Sequence, residues 1–106
     1  MQHKGPVLLL STITPGEGAT IARPLVEEHL AACVNILPAH SVYRWKGEIC
    51  EEGEDFLVIK TETELVPFLQ QRIRELHPYQ VPEMIVIPIL GGYGPYLNWL
   101  HREIAP

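Results

Sequence analysis

The hydrophobic positions of the chain follow two periods, and the switches between them mark its elements. Val7 to Ile13 (VLLLSTI) is a short apolar run rich in branched residues, closed by Thr14-Pro15-Gly16, which predicts a strand and a turn. The run does not alternate cleanly, so both faces are expected to be covered, as in a central strand. From Glu17 the period lengthens. Ile21, Leu25 and Ala32 share a stripe with Ala22, Val26 and Leu30 beside it, while Glu27-Glu28-His29 falls on the opposite side. That spacing predicts an amphipathic helix ending near Ala32, with Thr20 as its cap. Pro24 fits the first turn if the helix starts at Thr20 and kinks it if the helix starts at Glu17.

Cys33 to Leu37 predicts a second short strand, stopped by Pro38. Ser41 to Trp45 alternates around aromatic residues, and Lys46-Gly47 supplies a hairpin turn. The return strand begins at Glu48 and closes at Lys60-Thr61, with Glu51-Glu52-Gly53-Glu54 read as a bulge or a solvated interruption. Leu65, Phe68, Leu69, Arg72, Ile73 and Leu76 then mark a helix with Thr63 as cap and Pro67 early in it. His77-Pro78 ends that helix, because a residue before proline avoids the helical region. Met84 to Leu90 reads as an edge strand, given Pro88 within it. Gly91-Gly92-Tyr93-Gly94-Pro95 is a turn, and Tyr96, Leu97, Leu100 and Ile104 give a C-terminal helix.

Two β-α-β halves around a hairpin predict an α+β, ferredoxin-like split βαβ sandwich with a long central hairpin and an extra C-terminal helix. Residues 1–106 form one domain in this reading, with about residues 1–5 as a flexible N-terminus. Helices cover one face of such a sheet. The open face and the long hairpin are what self-assembly would conceal.

Composition narrows the partners. The chain carries 8 Lys and Arg against 13 Asp and Glu, a net charge of −5, which disfavours nucleic acid. No apolar run reaches the length of a membrane span, and the apolar stretch after Met1 lacks the flanks of a signal peptide. Cys33 and Cys50 form no Cys-x-x-Cys pattern, so the expectation is a cytoplasmic protein with two free thiols.

Little in the chain carries reactive chemistry. Gly91 to Gly94 lacks the Lys-Ser/Thr of a phosphate loop. The histidines His3, His29, His40, His77 and His101 form no helical pair and show no zinc spacing. The densest polar cluster is His77-Pro78-Tyr79-Gln80-Val81-Pro82-Glu83, an imidazole, a phenol and a carboxylate in one proline-stiffened loop. The same residues also suit a plain structural role, with Tyr79 plugging the core and His77 capping the helix. Lys60 ends an apolar strand, where it either snorkels, pairs with Glu54 or Glu83, or meets an anionic ligand. Tyr43 and Trp45 share a strand face and are read as a subunit interface.

Taken together, Leu30-Ala31-Ala32-Cys33-Val34-Asn35-Ile36, Ser41 to Ile49, Ile59-Lys60-Thr61, His77 to Glu83, Pro88-Ile89 and Tyr96 to Leu100 resemble the CutA family of divalent-cation-tolerance proteins. The resemblance implies a ferredoxin-like subunit, a homotrimer with hairpins packed between subunits, and cytoplasmic members linked to copper and other divalent cations. It implies no established catalytic reaction. In some bacterial members the suspected copper ligands are a first-strand cysteine and two consecutive histidines before Pro-Tyr. The corresponding positions here are Ser11 and Leu76-His77, so only His77 keeps a metal-binding side chain.

The expected sites are therefore His77 for a metal, and Lys60, Tyr79, Glu83 and Cys33 around a ligand cleft between subunits. No tightly bound cofactor is expected, only Cu(II) or other divalent ions. His3, third from Met1, adds a second copper expectation through the terminal amine, two backbone amides and its imidazole. Two other functions compete with metal response. One is a sensor, resembling the PII signalling proteins, that holds an anionic metabolite with Lys60 and the 77–83 loop. The other is an enzyme using Cys33 and His77.

Overall fold

In the computed structural model, which describes residues 2–104, the elements run β1 (Pro6–Ile13), α1 (Gly18–Glu27), β2 (Cys33–Trp45), β3 (Glu48–Glu62), α2 (Val66–Leu76), β4 (Ile85–Pro88) and α3 (Gly94–Ile104). A short 3-10 turn, Thr63–Leu65, leads into α2. The strands form one antiparallel sheet in the order β2-β3-β1-β4. Two βαβ halves with this strand order are the ferredoxin-like arrangement, and α3 is the appended helix.

Residue parity sorts the sheet into two faces. Val7, Leu9 and Ile13 of β1 and Leu57 and Ile59 of β3 point to the helices and are at most 1% exposed. They pack with Ile21 and Leu25 of α1 and Leu69 and Ile73 of α2 in one core. The opposite parity carries Leu37, Ile85 and Ile87, which are 40–51% exposed. A smaller cluster of Ala32, Leu100 and Ile104 seats α3 against the end of the sheet.

Several boundaries depart from the sequence expectation. Helix α1 stops at Glu27, five residues before Ala32. His29 takes a left-handed φ of 60°, and the amides of His29 and Leu30 return to the carbonyls of Val26 and Leu25. That is a Schellman closure with histidine where glycine is usual, and Leu30 folds back onto the core. Thr20 lies inside the helix, its hydroxyl on the Glu17 carbonyl. The helix N-terminus is instead capped from a distance: Asp55 Oδ2 on β3 accepts from the amides of Gly16 (3.1 Å) and Gly18 (3.0 Å). The approach is so close that a Cβ on Gly18 would lie 2.8 Å from Ile36 Cγ2 and 2.9 Å from that carboxylate. Pro24 stands well past the first turn.

Pro38 does not stop the second strand. β2 runs through it as a single 13-residue edge strand, where a missing amide can face away from β3. The acidic stretch is not a bulge either. Pairing from Cys33↔Lys60 to Trp45↔Glu48 keeps one register, because solvated carboxylates leave the backbone ladder intact. Lys46 and Gly47, with φ of 50° and 80°, make the two-residue turn. Thr63 does not cap α2; its amide and hydroxyl both donate to the Gly5 carbonyl at 2.9 Å.

Beyond Ile13 and Asp55 the hairpin has no sheet neighbour and projects as a two-stranded arm. The arm makes the molecule 44 Å long and only 22–25 Å across. Its radius of gyration is 14.3 Å, against about 13 Å for a compact chain of this length.

Candidate functional site

The residues expected to form one site fall into separate places. His77, at the end of α2, is 7% exposed and reaches across to β1. Its Nδ1 accepts from the Tyr79 amide at 3.0 Å, which places the ring proton on Nε2. Nε2 then donates to the Thr12 carbonyl at 2.7 Å. Both nitrogens are thus occupied by backbone, and the Tyr79 ring lies 4.6 Å away at a 58° tilt. Extended ψ before Pro78 turns the chain toward β1 and makes this bridge reachable. His77 pins a loop to a strand; it offers no free lone pair to a metal.

Lys60 and Cys33 lie at the other end of the sheet. They are directly opposite each other, with Lys60 also paired to Leu8. Thr12 is four residues further along β1, roughly 13 Å away at strand rise. Lys60 therefore pairs with neither Glu54 nor Glu83. Its Nζ stands 3.3 Å from the Tyr96 hydroxyl and 5.5 Å from the ring centroid, a cation over an aromatic face. The same separation keeps Cys33 from His77, so the expected thiol–imidazole pair does not form. Cys33 Sγ contacts Asn35 Oδ1 at 3.8 Å. Both cysteines are free.

Tyr79 and Glu83 do line a groove, together with the arm. Thr12, Thr14, Ser41, Tyr43, Trp45, Glu52, Glu54, Val81 and Glu83 enclose about 870 Å³ between the 78–83 loop and the hairpin. Tyr43 donates to Glu52 Oε1 at 2.5 Å. That bond pushes the Tyr43 phenol up to about 12, with desolvation and the nearby charges of Glu52, Cys50 and Glu54 adding to it. Three carboxylates and no Lys or Arg of this chain line the space, so the chain by itself supplies no positive charge there for an anion.

From the sequence, Glu52 and Glu54 belong to a bulge or solvated interruption, with Glu54 also a candidate partner for Lys60. The signal that would have found them is parity: counting back from buried Leu57 puts Asp55 toward the helices and Glu54, with Phe56, toward the open face. Glu54 is 8% exposed.

The remaining histidines are engaged singly. His3 Nε2 donates to the Pro6 carbonyl at 3.0 Å, while Met1, whose amine the copper expectation needs, lies outside the described residues. His40 meets Glu51 at 3.0 Å and His101 meets Glu62 at 2.9 Å, both on the surface. Among the described residues no three His, Cys, Asp or Glu side chains converge to hold a metal ion. Ser11, at the family's cysteine position, is fully buried and its hydroxyl has no partner. The family's metal ligand set does not fit this subunit.

A family model described as CutA1 divalent ion tolerance protein matches residues 7–103. The divalent-cation tolerance protein CutA of Thermus thermophilus is 48% identical over 98 residues, covering 92% of this chain and 95% of that one. Mouse protein CutA is 49% identical over 83 residues, covering 77% of this chain but 47% of the mouse protein. Among solved structures, the PII-like protein CutA from Nostoc in apo form superposes with a TM-score of 0.87 at 44% identity, covering 92% and 96% of the two chains. The periplasmic divalent cation tolerance protein CutA from Archaeoglobus fulgidus gives 0.90 at 31%, covering 93% and 98%.

Proposed function

Given that this chain belongs to the CutA1 divalent ion tolerance family, we propose that it is a non-catalytic, cytoplasmic homotrimer acting in the response to divalent metal ions. The observation that carries this reading is the uncovered half of the sheet. Leu37, Ile85 and Ile87 are exposed on the face opposite the helices; on the arm Trp45 (59% exposed) continues that face, and Val42 and Ile49 (60% and 61%) are exposed on the arm's other side. An apolar face continuous with a two-stranded arm is too large to leave in water and suits an obligate interface. Tyr43 and Trp45 are its aromatic anchors.

In this reading divalent ions bind weakly, at exposed imidazole–carboxylate pairs such as His40–Glu51 and His101–Glu62. Two ligands at a solvated surface hold copper less tightly than a converged thiolate–imidazole set.

Light scattering on the purified protein should give three times the chain mass at micromolar concentration. A monomer would reject the assembly. Trp45→Ala should weaken the trimer, seen as dissociation on dilution with the secondary structure intact. Copper titration should be weaker in His40→Ala and unchanged in His77→Ala. A tight site lost with His77 would overturn the assignment of that residue to the fold.

A further inference from the structure

The segment between α2 and β4 is tied to the rest of the chain through one side chain. Residues 78–84 lie outside every helix and strand. Among the described residues, the one hydrogen bond they make runs from the Tyr79 amide to His77 Nδ1 at 3.0 Å. His77 is 7% exposed, and its Nε2 carries the link on to the Thr12 carbonyl of β1 at 2.7 Å. Apolar packing adds little. Met84 touches the core, but Pro78, Tyr79, Gln80, Val81 and Glu83 are exposed. A segment with so few contacts opens more readily than the core beside it.

This tie works in one protonation state only. Nδ1 accepts and Nε2 donates, the pattern of a neutral imidazole. A second proton would sit on Nδ1 and meet the Tyr79 N–H, a donor facing a donor. The ring must then stay neutral or let the amide go. No charge stands by to offset this. β1 carries no titratable side chain, and His77 makes no ion pair among the described residues. On its own helix Arg74 and Glu75 are exposed, and on the loop so is Glu83. Glu28 of α1 is paired with Arg72. On β3, next to β1, Asp55 holds the amides of Gly16 and Gly18, and Glu54 has the opposite parity.

We propose that His77 is an acid-operated clasp: uptake of a proton by its imidazole breaks the Tyr79 bond and frees the 78–83 loop from β1, while the helix-face core stays intact. Acid favours the released state because only there can the ring take a second proton without setting donor against donor. What the release changes is a cleft. Tyr79 and Gln80 form one wall of a space of about 870 Å³ whose other wall includes Gln70, Gln71 and Arg74 of α2. A freed loop takes that wall away. The proposal rests on bonds within one chain and is independent of metal response.

The test is NMR on the full-length protein from about pH 8 to about pH 5, the span over which histidines change charge. Nitrogen-15 shifts of the His77 ring should report a proton on Nε2 alone at the alkaline end and on both nitrogens at the acid end. Protection of the Tyr79 amide against hydrogen exchange, corrected for the intrinsic effect of pH, should fall on the acid limb. The expected slope is about tenfold per pH unit, that of one coupled proton. The amides of Leu9 and Leu57 should keep their protection. These readings need no variant. In His77→Gln, which keeps an acceptor and a donor but cannot charge, Tyr79 protection should no longer depend on pH. In His77→Ala it should be low throughout.

A proton on Nδ1 at the alkaline end would overturn the proposal, as would Tyr79 protection that ignores pH. Equal losses at Leu9 and Leu57 would overturn it too, since they mean acid unfolding of the whole subunit. A pH-dependent fall that persists in His77→Gln would assign the effect to another group, Glu83 first, and reject the clasp.

Discussion

The two faces of the sheet are built from the same strands and differ only by residue parity, yet they belong to different kinds of structure. On the helix face, Leu9, Leu57 and Ile59 are fully buried and every neighbour comes from the same chain. On the other face, Ile87 and Leu37 are 40% and 45% exposed, and past Asp55 even the sheet thins to two strands. One face is finished within the chain itself; the other is left exposed by it. A strand therefore cannot be classed as core or surface as a whole.

The sharpest way to test that division is to truncate matched residues on both sides. Leu57→Ala should cost about 2–5 kcal/mol in urea unfolding, independent of protein concentration. Ile87→Ala should cost less, with a loss that grows as the protein is diluted, if the proposed assembly seats another copy of the chain on this face. A concentration-independent loss at Ile87 would mean the open face is completed within the subunit.

Gly18→Ala probes where α1 meets the base of the arm. The new methyl would collide with Ile36 and with the carboxylate that caps the helix. The expected cost is about 1–3 kcal/mol by thermal unfolding. Gly47→Ala acts only at the arm's tip, where φ is +80° and nothing crowds the site. About 1 kcal/mol of backbone strain is expected there, with the helix-face core undisturbed.

The smallest effect concerns protons. Tyr43 is pushed up to about 12 by its bond to Glu52, while an unfolded tyrosine titrates near 10. The folded state therefore holds this proton more tightly. The stabilisation is fully present below pH about 10 and is lost as pH rises through about 12. Ultraviolet titration should show one tyrosine ionising after the others, and Tyr43→Phe should remove that late step. An unchanged curve in the variant would place the late tyrosine elsewhere.

Much of the fold was legible because periodicity reports burial. Val7–Ile13, the stripe through Leu69 and Ile73, and the Lys46-Gly47 turn all lie where the pattern placed them. Errors arose where a local rule met a tertiary partner. Pro38 reads as a stop until β2 is known to be an edge, and Thr20 reads as a cap until Asp55 arrives from β3. The candidate site was less legible. His77 was singled out by its chemistry, but the amide of Tyr79 and the carbonyl of Thr12 that occupy it carry no sequence signal. Glu54 was hidden because an acidic run looks solvated whichever side chain turns inward.

The unbroken register of the hairpin also bears on the order in which the chain folds. All thirteen pairs from Trp45↔Glu48 to Cys33↔Lys60 extend from one two-residue turn. This part of the sheet can zip from its tip with short loop closures, on the microsecond scale of isolated hairpins. Strand β1 must instead find β3 and β4 across most of the chain, and those closures are the slow ones. The arm is then present while the helix-face core is still forming, with its apolar side chains uncovered. Pro38 lies near the middle of the free edge of β2, at the base of the arm, where the missing amide hinders a further strand from joining during that interval.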